Sequence, residues 1–177
     1  IPASPYAISK LYAHHMGRLY RESYNMFVCS GILFNHESPR RGEKFVTQKV
    51  AKHAAQIKLG IKDELLLGNM ESKRDWGHAK DYVKGMHMII NHNVPDDFVL
   101  ATGKTHSIHE LVNIAFSHVD LDPSKYVKTS QKFMRPSDVQ YLLGDHTKAK
   151  NVLGWEPEIT FDAMIKEMVD TWIEKLK

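Results

Sequence analysis

The sequence predicts an α/β protein built on a doubly wound parallel sheet, and three observations support this prediction. A helical pattern near the start is followed directly by a near-continuous apolar run, NMFVCSGILF. Such a run is typical of a strand that is covered on both faces, as in parallel sheets. Helical and strand patterns then alternate along the rest of the chain, which is how parallel α/β sheets are assembled.

In the first part of the chain, the pattern predicts two helices around one strand. Apolar and aromatic residues recur at helical spacing up to Tyr24, which predicts a helix over residues 6–24. The apolar run at residues 25–34 predicts a fully buried strand, and a polar loop, NHESPRRGEK, follows it. A second helix is expected over residues 45–59.

The second part continues the alternation. ELLLGN and FVLAT read as strands, and DYVKGMHMIINH reads as a helix between them. Ser107 and Glu110 have the spacing of a capping box for the helix that begins IHELVNIAF. The clearest helix is predicted over residues 161–176, where an apolar stripe recurs every 3.6 residues and Thr160 is placed to cap it.

The composition points to a globular protein in a reducing, cytoplasmic compartment. The chain has 177 residues, of which 42% are hydrophobic, enough to bury a core. Its longest apolar runs are too short to span a bilayer. The single cysteine, Cys29, lies in an apolar run, so we expect a buried thiol and no disulfide framework.

The basic residues are concentrated near the start of the chain. The first 62 residues carry ten Lys or Arg and three Asp or Glu. This excess fits a phosphate-bearing ligand, a nucleic acid or simply a solvated face. Because no basic stretch is interleaved with aromatic residues, no nucleic-acid partner is expected. The eleven histidines show no H-E-x-x-H pattern, so no metal is expected either.

One pair of residues suggests redox chemistry. Tyr6 and Lys10 are four residues apart, so a helix places them on one face. An ammonium group beside a phenol favours the phenolate, which can accept a proton from an alcohol while hydride leaves the same carbon. With seven tyrosines in the chain, one such spacing is close to chance. The pair therefore reads either as part of an active site or as two surface residues.

Polar residues that directly follow a buried strand predict an anion site. Open α/β sheets bind ligands at the carboxyl ends of their strands. The candidates in the loop after the first strand and the helix after it are Asn35, His36, Arg40, Arg41 and Lys49. Arg74 and Arg135, from distant segments, could clamp a diphosphate in bidentate fashion. A solvated basic loop is the alternative interpretation.

No G-x-G-x-x-G turn occurs in the chain, although α/β nucleotide-binding proteins carry one after their first strand. We therefore expect a C-terminal piece of a larger protein. The stretches SPYAISKLYAHHMGRLYRESYNMFVCSGILFNHESPRRGEKFVTQK and LGNMESKRDWGHAKDYV closely resemble the GDP-mannose 4,6-dehydratases, which are extended short-chain dehydrogenases/reductases. DHTKAKNVLGWEPEITFDAMI is similar to the broader family of nucleotide-sugar epimerases and dehydratases.

The resemblance implies a Rossmann-type fold joined to a small α/β substrate-binding domain. Residues 1–44 would be the last helix and strand of the NADP-binding domain. Residues 45–177 would form mainly the nucleotide-sugar-binding domain, with segments that return to the Rossmann sheet. The implied reaction converts GDP-mannose to GDP-4-keto-6-deoxymannose through an internal redox cycle on NADP and elimination of water. This is the first step of GDP-fucose synthesis, and the full-length enzyme is expected to be a dimer or tetramer.

The resemblance also assigns roles to single residues. Tyr6 matches the general base, and Lys10 matches the lysine that holds the nicotinamide ribose. His36 and Arg41 match cofactor contacts. The positions that match substrate contacts are Asn35, Val46, Lys49, Arg74, Arg135 and Asp138. Asp138 stands where the family is expected to have glutamate, which leaves its contact with the guanosine ribose open.

Alternatives to an active GDP-mannose 4,6-dehydratase remain at this stage. The family's catalytic Thr or Ser, its catalytic Glu and its glycine-rich loop all match nothing in this sequence, so the isolated chain is expected to be inactive. It could then be a binding module that holds a GDP-sugar without chemistry. Within the enzymes, an epimerase or a different nucleotide-sugar dehydratase is the nearest competitor, and the preferred base would decide between them.

Overall fold

The computed structural model describes Pro2, residues 4–134 and residues 139–177. The helices of this part are α1 (Pro5–Tyr24), α2 (Val46–Lys58), α3 (Ala79–Ile90), α4 (Ile108–Ser117), α5 (Pro123–Tyr126), α6 (Thr147–Leu153) and α7 (Phe161–Leu176), with a 3-10 helix at Gln131–Phe133. The strands are β1 (Gly31–Leu33), β2 (Asn35–Glu37), β3 (Leu65–Leu67), β4 (Lys73–Arg74), β5 (Trp76–His78), β6 (Phe98–Leu100), β7 (His106–Ser107) and β8 (Val127–Thr129).

Helix α1 confirms the prediction over residues 6–24 but does not bury its apolar stripe. The helix begins after Ser4, whose hydroxyl accepts a hydrogen bond of 3.1 Å from the Ala7 amide. It ends at Asn25, which adopts the left-handed conformation with φ 51°. No residue of α1 is buried, and Leu11 and Leu19 are 44% and 49% exposed. The stripe therefore faces outward.

The prediction of one fully buried strand over residues 25–34 is wrong. Only Gly31–Leu33 of that run forms a strand, and its Ile32 is 43% exposed. Among the described residues β6 is the one strand that pairs with β1, so β1 is not an inner strand of this part of the sheet. The polar loop predicted next to it is also shorter than expected, because its first three residues form β2.

The other predicted helices are confirmed with shifts of one or two residues at their ends. The capping box of α4 is complete: the Glu110 amide donates to the Ser107 hydroxyl at 3.0 Å, and the Ser107 amide donates to the Glu110 carboxylate at 3.2 Å. Thr160 caps α7 by accepting a hydrogen bond of 3.2 Å from the Ala163 amide. Local side-chain chemistry thus sets both helix starts.

The strands form short pairs, and three of the four pairs are parallel. β1 pairs with β6, β2 with β5, and β3 with β8, all in parallel, whereas β4 pairs with β7 in antiparallel fashion. The parallel pairs agree with the predicted α/β class. No helix in the described ranges is both long and apolar enough to cross a membrane.

Two hydrophobic cores lie under these strands. The larger one joins α2, α4 and α7 and includes Val50, Leu111 and Met168, all fully buried. The smaller one is built around Tyr82, Phe98 and Trp155 from α3, β6 and the segment after α6, and Leu33 of β1 packs against it. The candidate site lies beside the larger core, and four of its lining residues belong to that core or pack against it: Val46, Leu67, Trp76 and Ile108.

Candidate functional site

A cavity with a volume of about 730 Å³ lies at the carboxyl end of β3, beside β2, β4 and the start of α2. It is lined by Asn35, Glu37, Lys44, Phe45, Val46, Lys49, Leu67, Gly68, Asn69, Ser72, Arg74, Trp76, Ile108, Phe133, Met134 and Gln140. A volume in this range suits a ligand the size of a nucleotide or larger. The cavity is therefore the candidate site.

The local fold explains why these side chains meet. β3 ends at Leu67, and Gly68 and Asn69 follow it directly at the cavity wall. Val46 and Lys49 lie in the first turn of α2, and both face the same cavity. The carboxyl end of a parallel strand and the start of a helix are the usual positions for ligand contacts in α/β proteins.

The Lys49 ammonium makes two contacts in the cavity wall. Its ammonium donates a hydrogen bond of 2.6 Å to the Leu66 carbonyl and lies 3.8 Å from the centre of the Phe133 ring. Burial, with a smaller contribution from Lys62, lowers the pKa of Lys49. The aromatic ring and the carbonyl compensate part of the desolvation of this charge.

Glu37 supplies a carboxylate to the same wall. It is 2% exposed and accepts a hydrogen bond of 2.7 Å from the Thr47 hydroxyl. The Nε of Arg41 lies 3.1 Å from its carboxylate. Burial raises the pKa of Glu37, and the Thr47 hydrogen bond and the Arg41 charge oppose this effect. The wall thus carries a carboxyl group that is easier to protonate than an exposed one.

The opposite wall contains polar groups from β4 and from the segment after Gly68. The Asn69 amide donates to the Ser72 hydroxyl at 3.0 Å and to the Gln140 side chain at 3.3 Å. Arg74 donates a hydrogen bond of 2.8 Å to the Lys73 carbonyl. The bond between Asn69 and Gln140 connects residues 71 positions apart in the sequence, so this part of the wall depends on the tertiary fold.

A buried carboxylate fixes the strand ends beside Arg74. Asp75 is fully buried and accepts hydrogen bonds from the Thr102 amide at 2.8 Å, the Gly103 amide at 3.0 Å and the Gly144 amide at 3.2 Å. Its neighbours in the sequence, Arg74 and Trp76, both line the cavity. Asp75 therefore ties the cavity wall to two other loops.

The 3-10 helix closes one side of the cavity through a contact that requires glycine. A Cβ atom on Gly68 would lie closer to the Phe133 carbonyl oxygen than any real Cβ contact allows. The absence of a side chain at Gly68 lets Phe133 approach Lys49 from across the cavity.

The structure brings together four of the predicted substrate residues, because Asn35, Val46, Lys49 and Arg74 all line the cavity. Arg135 and Asp138 lie outside the described residues. Met134 and Gln140, which lie on either side of these two residues in the sequence, line the cavity. The roles assigned to these six residues stay predictions.

Tyr6 and Lys10 share one helix face, as the spacing predicts, but the structure does not place them in the cavity. The Lys10 ammonium lies 5.5 Å from the centre of the Tyr6 ring. Tyr6 is 71% exposed, and Lys10 is exposed as well. Within the described residues, this pair is open to solvent at the start of α1.

His36 and Arg41, the predicted cofactor contacts, lie next to the cavity. Nδ1 of His36 is 2.9 Å from the Phe34 carbonyl oxygen, so Nδ1 donates there and Nε2 of the neutral ring stays an acceptor. The His36 ring stacks on the buried Tyr82 ring with centres 5.1 Å apart. The Arg41 guanidinium lies 3.4 Å from the centre of the Phe45 ring.

Sequence reasoning missed several residues of the site. Asn69 falls within the predicted strand ELLLGN, but the strand ends at Leu67, so Asn69 follows it at the cavity wall. Glu37 lies in the polar loop predicted after the first strand and could have been found with Asn35, whereas Phe133 has no comparable signal. Within the described ranges, no three His, Cys, Asp or Glu side chains converge as a metal site.

Sequence relatives match nearly the whole chain. The pattern of the family described as GDP-mannose 4,6 dehydratase matches residues 1–168. GDP-mannose 4,6 dehydratase 2 of Arabidopsis thaliana is 47% identical over 99% of this chain and 47% of its own length. GDP-mannose 4,6 dehydratase of Homo sapiens is 43% identical over 99% of this chain and 52% of its own length. The chain thus spans about half the length of the curated relatives it matches.

Solved structures agree on the fold. The structure of RMD from Pseudomonas aeruginosa complexed with NADPH has a TM-score of 0.91 at 22% identity, covering 99% of this chain and 58% of that one. A dTDP-glucose 4,6-dehydratase from Bacillus anthracis in complex with NAD has a TM-score of 0.84 at 22% identity, covering 99% and 53%. With a matching fold, a family pattern over residues 1–168 and these relatives, the chain belongs to the GDP-mannose 4,6 dehydratase family.

Proposed function

We propose that the 730 Å³ cavity is the GDP-mannose site of a GDP-mannose 4,6-dehydratase. The protein that contains this chain would convert GDP-mannose to GDP-4-keto-6-deoxymannose, a step toward GDP-fucose. The observation that carries the proposal is the meeting of Asn35, Val46, Lys49 and Arg74 in one cavity. Relatives that are 42–47% identical to this chain carry the same activity in their names.

The charges of the cavity support a diphosphate ligand. Lys44, Lys49 and Arg74 face Glu37, so the cavity holds more basic than acidic side chains. Ammonium and guanidinium groups bind phosphate oxygens, and a guanidinium can do so with two parallel hydrogen bonds. The aromatic rings of Phe45 and Phe133 offer flat apolar surfaces for a purine base.

We also propose NADP as the cofactor, and the residues outside the cavity fit its polar groups. Tyr6 and Lys10 are both exposed, with the Lys10 ammonium 5.5 Å from the centre of the Tyr6 ring, so both side chains are open to contacts with ribose hydroxyls. His36 keeps Nε2 as an acceptor, and Arg41 supplies a charge. When bound, NADP supplies the acceptance and later return of a hydride. A structural neighbour of the same fold contains NADPH.

The chain's own contribution to the chemistry would be a proton transfer. The Lys10 ammonium would favour the phenolate form of Tyr6, and this phenolate would take the proton of the C4 hydroxyl of mannose and become a neutral phenol. The 4-ketone formed in this way acidifies the hydrogen at C5, which prepares elimination of water across C5 and C6. Lys49 and Arg74 would keep the sugar in place by holding its diphosphate.

Domain roles, assembly and location belong to the same proposal. Residues 1–44 would be the end of the NADP-binding domain, and residues 45–177 would be mainly the sugar-nucleotide domain. Some segments of residues 45–177 would return to the Rossmann sheet, and the packing of Leu33 of β1 on the core that contains α3 and β6 supports this return. The full-length enzyme would be a dimer or tetramer in the cytoplasm, where the single Cys29 stays reduced.

The isolated chain would bind GDP-mannose without turning it over. The family's catalytic Thr or Ser and its catalytic Glu match nothing in this sequence, and no glycine-rich loop occurs in it. Binding by the cavity needs none of these features. Formation of GDP-4-keto-6-deoxymannose by the purified chain would contradict this part of the proposal.

Calorimetric titration of the chain with GDP-mannose and, separately, with UDP-glucose tests the proposed ligand. We expect GDP-mannose to bind with and without NADP, and UDP-glucose to bind at least about tenfold more weakly, a difference of about 1.4 kcal/mol. Equal binding of both nucleotides would favour an epimerase or another nucleotide-sugar dehydratase. Absence of binding to either would contradict the proposal.

A matched pair of lysine variants locates the binding. Lys49→Met removes the ammonium from the cavity, whereas Lys52→Met changes the same helix at a residue whose ammonium pairs with Glu43 at 2.7 Å. We expect Lys49→Met to weaken GDP-mannose binding by about tenfold or more, since charged hydrogen bonds contribute about 1.5–3 kcal/mol. Lys52→Met should bind like the wild type. Equal affinities for Lys49→Met and the wild type would place the ligand elsewhere.

A further inference from the structure

Gln48 is a buried amide in α2 whose polar atoms are all used. It is 1% exposed. Its Oε1 accepts a hydrogen bond of 2.7 Å from the indole Nε1 of Trp172 in α7. Its Nε2 donates to the Pro39 carbonyl and to the Arg41 carbonyl, both at 3.0 Å. Because indole N–H can only donate, Trp172 fixes which end of the amide faces the two carbonyls.

The turn that Gln48 holds leads to one wall of the cavity. The Arg41 amide donates to the Ser38 carbonyl at 2.9 Å, which closes the turn. From this turn the Arg41 side chain reaches both Glu37, at 3.1 Å, and the Phe45 ring, at 3.4 Å from its centre. Glu37 and Phe45 line the cavity, whereas Gln48 does not. The side chain of Gln48 therefore contacts the turn and not the cavity itself.

We propose that Gln48 is a positioning residue for the sugar-nucleotide cavity. Its amide, oriented by Trp172, holds the Ser38–Arg41 turn so that Arg41 keeps Glu37 and Phe45 in place. This inference rests on the proposed function, because it assigns a binding consequence to the turn. An apolar residue would fill the same buried space in the core, but it would leave the Pro39 and Arg41 carbonyls without this donor.

The test compares Gln48→Glu and Gln48→Met with Gln56→Met as the matched control. Gln48→Glu keeps the shape and the acceptor for Trp172 but places an oxygen opposite the two carbonyls. Gln56 is also a buried glutamine of α2, 8% exposed, and lies about 12 Å further along the helix, away from the turn. Thermal melting of each variant verifies that it folds.

Two readouts are measured on each variant. Trypsin cleaves after Arg40 and Lys44, which are exposed in and beside the turn, so the cleavage rate there reports its order. Titration with GDP-mannose reports the binding consequence. For both Gln48 variants we expect cleavage about tenfold faster and binding about tenfold weaker, the change that loss of about one net hydrogen bond produces. Gln56→Met should match the wild type in both.

The outcomes separate this inference from the proposed function. Unchanged cleavage in the Gln48 variants, or faster cleavage with unchanged GDP-mannose affinity, would overturn the positioning role. Cleavage spread over the whole chain would show unfolding rather than release of the turn and would also overturn it. A wild-type chain that does not bind GDP-mannose would contradict the proposed function instead, and unchanged cleavage would then still overturn the role of Gln48.

Discussion

Replacement of Arg21 by methionine tests how α1, which carries Tyr6 and Lys10, is attached to the rest of the molecule. No residue of α1 is buried, so hydrophobic packing contributes little to this attachment. The Arg21 guanidinium donates two hydrogen bonds, of 2.9 and 3.1 Å, to the Asp97 carboxylate and a third, of 3.0 Å, to the Val28 carbonyl. This bidentate pair is the strongest polar contact that holds the helix.

The pKa of Asp97 indicates how much free energy the pair of Arg21 and Asp97 contributes to folding. The Arg21 hydrogen bonds, with a smaller contribution from the Ser30 amide, lower the pKa of Asp97 from its ordinary value of 3.8 to about 2. Since each pKa unit corresponds to about 1.4 kcal/mol, the charged form gains about 2 kcal/mol in the folded state. The two side chains are 17% and 21% exposed, so solvent screens this pair only partly.

Urea unfolding of Arg21→Met at pH 7 should therefore show a free energy of unfolding about 2 kcal/mol below that of the wild type. Because folding lowers the pKa of Asp97, its contribution is full above pH 3.8 and is lost as the pH falls through about 2. The free energies of unfolding of the wild type and of Arg21→Met should therefore converge over that pH range.

Arg18→Met is the matched control for this prediction. Arg18 lies on the same helix and pairs with Glu22 at 2.7 Å, but the two side chains are 60% and 58% exposed. An exposed pair of this kind contributes about 0.5 kcal/mol or less. If Arg21→Met cost no more than Arg18→Met, the account of how α1 is held would be refuted.

Three further changes test other parts of the structure. Gly68→Ala should destabilise the fold by about 1–3 kcal/mol and weaken GDP-mannose binding, because the alanine Cβ would displace the Phe133 carbonyl. Urea unfolding measures the stability and calorimetry measures the binding. A variant that is unchanged in both would contradict the close approach of Gly68 to Phe133. Glu37→Gln should remove a pH dependence of the free energy of unfolding. Because burial raises the pKa of Glu37, the stability of the wild type relative to the variant should fall as the pH rises above 4.5 through the raised pKa. Parallel pH profiles of the two proteins would argue against this. Ser107→Ala should cost about 1 kcal/mol in urea unfolding by removing the cap of α4, whereas an unchanged midpoint would mean that the cap is redundant.

The long amphipathic helices were predictable because periodicity and capping act locally. Residues 161–176 carry both an apolar stripe and a threonine cap, and α7 has these bounds. The strands were not predictable in the same way, since β4 and β5 contain two and three residues within a polar stretch. Such short strands form because partners from distant parts of the chain satisfy their backbone groups, and no local pattern records those partners.

The candidate site likewise contains residues that the local sequence predicts and residues that only the folded chain brings in. Asn35 and Lys49 were predictable from their positions after a strand and in the following helix. Phe133 was not, because its contact with Lys49 joins segments that only the folded chain brings together. The exposure of Ile32 was also unpredictable from the sequence alone, since its apolar run has the composition of a strand with neighbours on both edges.

The central claim is that the cavity beside β2 and β3 binds GDP-mannose. Amide hydrogen exchange of the chain, measured with and without saturating GDP-mannose, tests it most directly. The account predicts slower exchange at the lining residues of the segment after β3, at the start of α2 and at Phe133 and Met134; the lining residues of that segment are Gly68, Asn69, Ser72 and Arg74. Protection confined to other surfaces, or no protection while the nucleotide is bound, would contradict the assignment of this cavity.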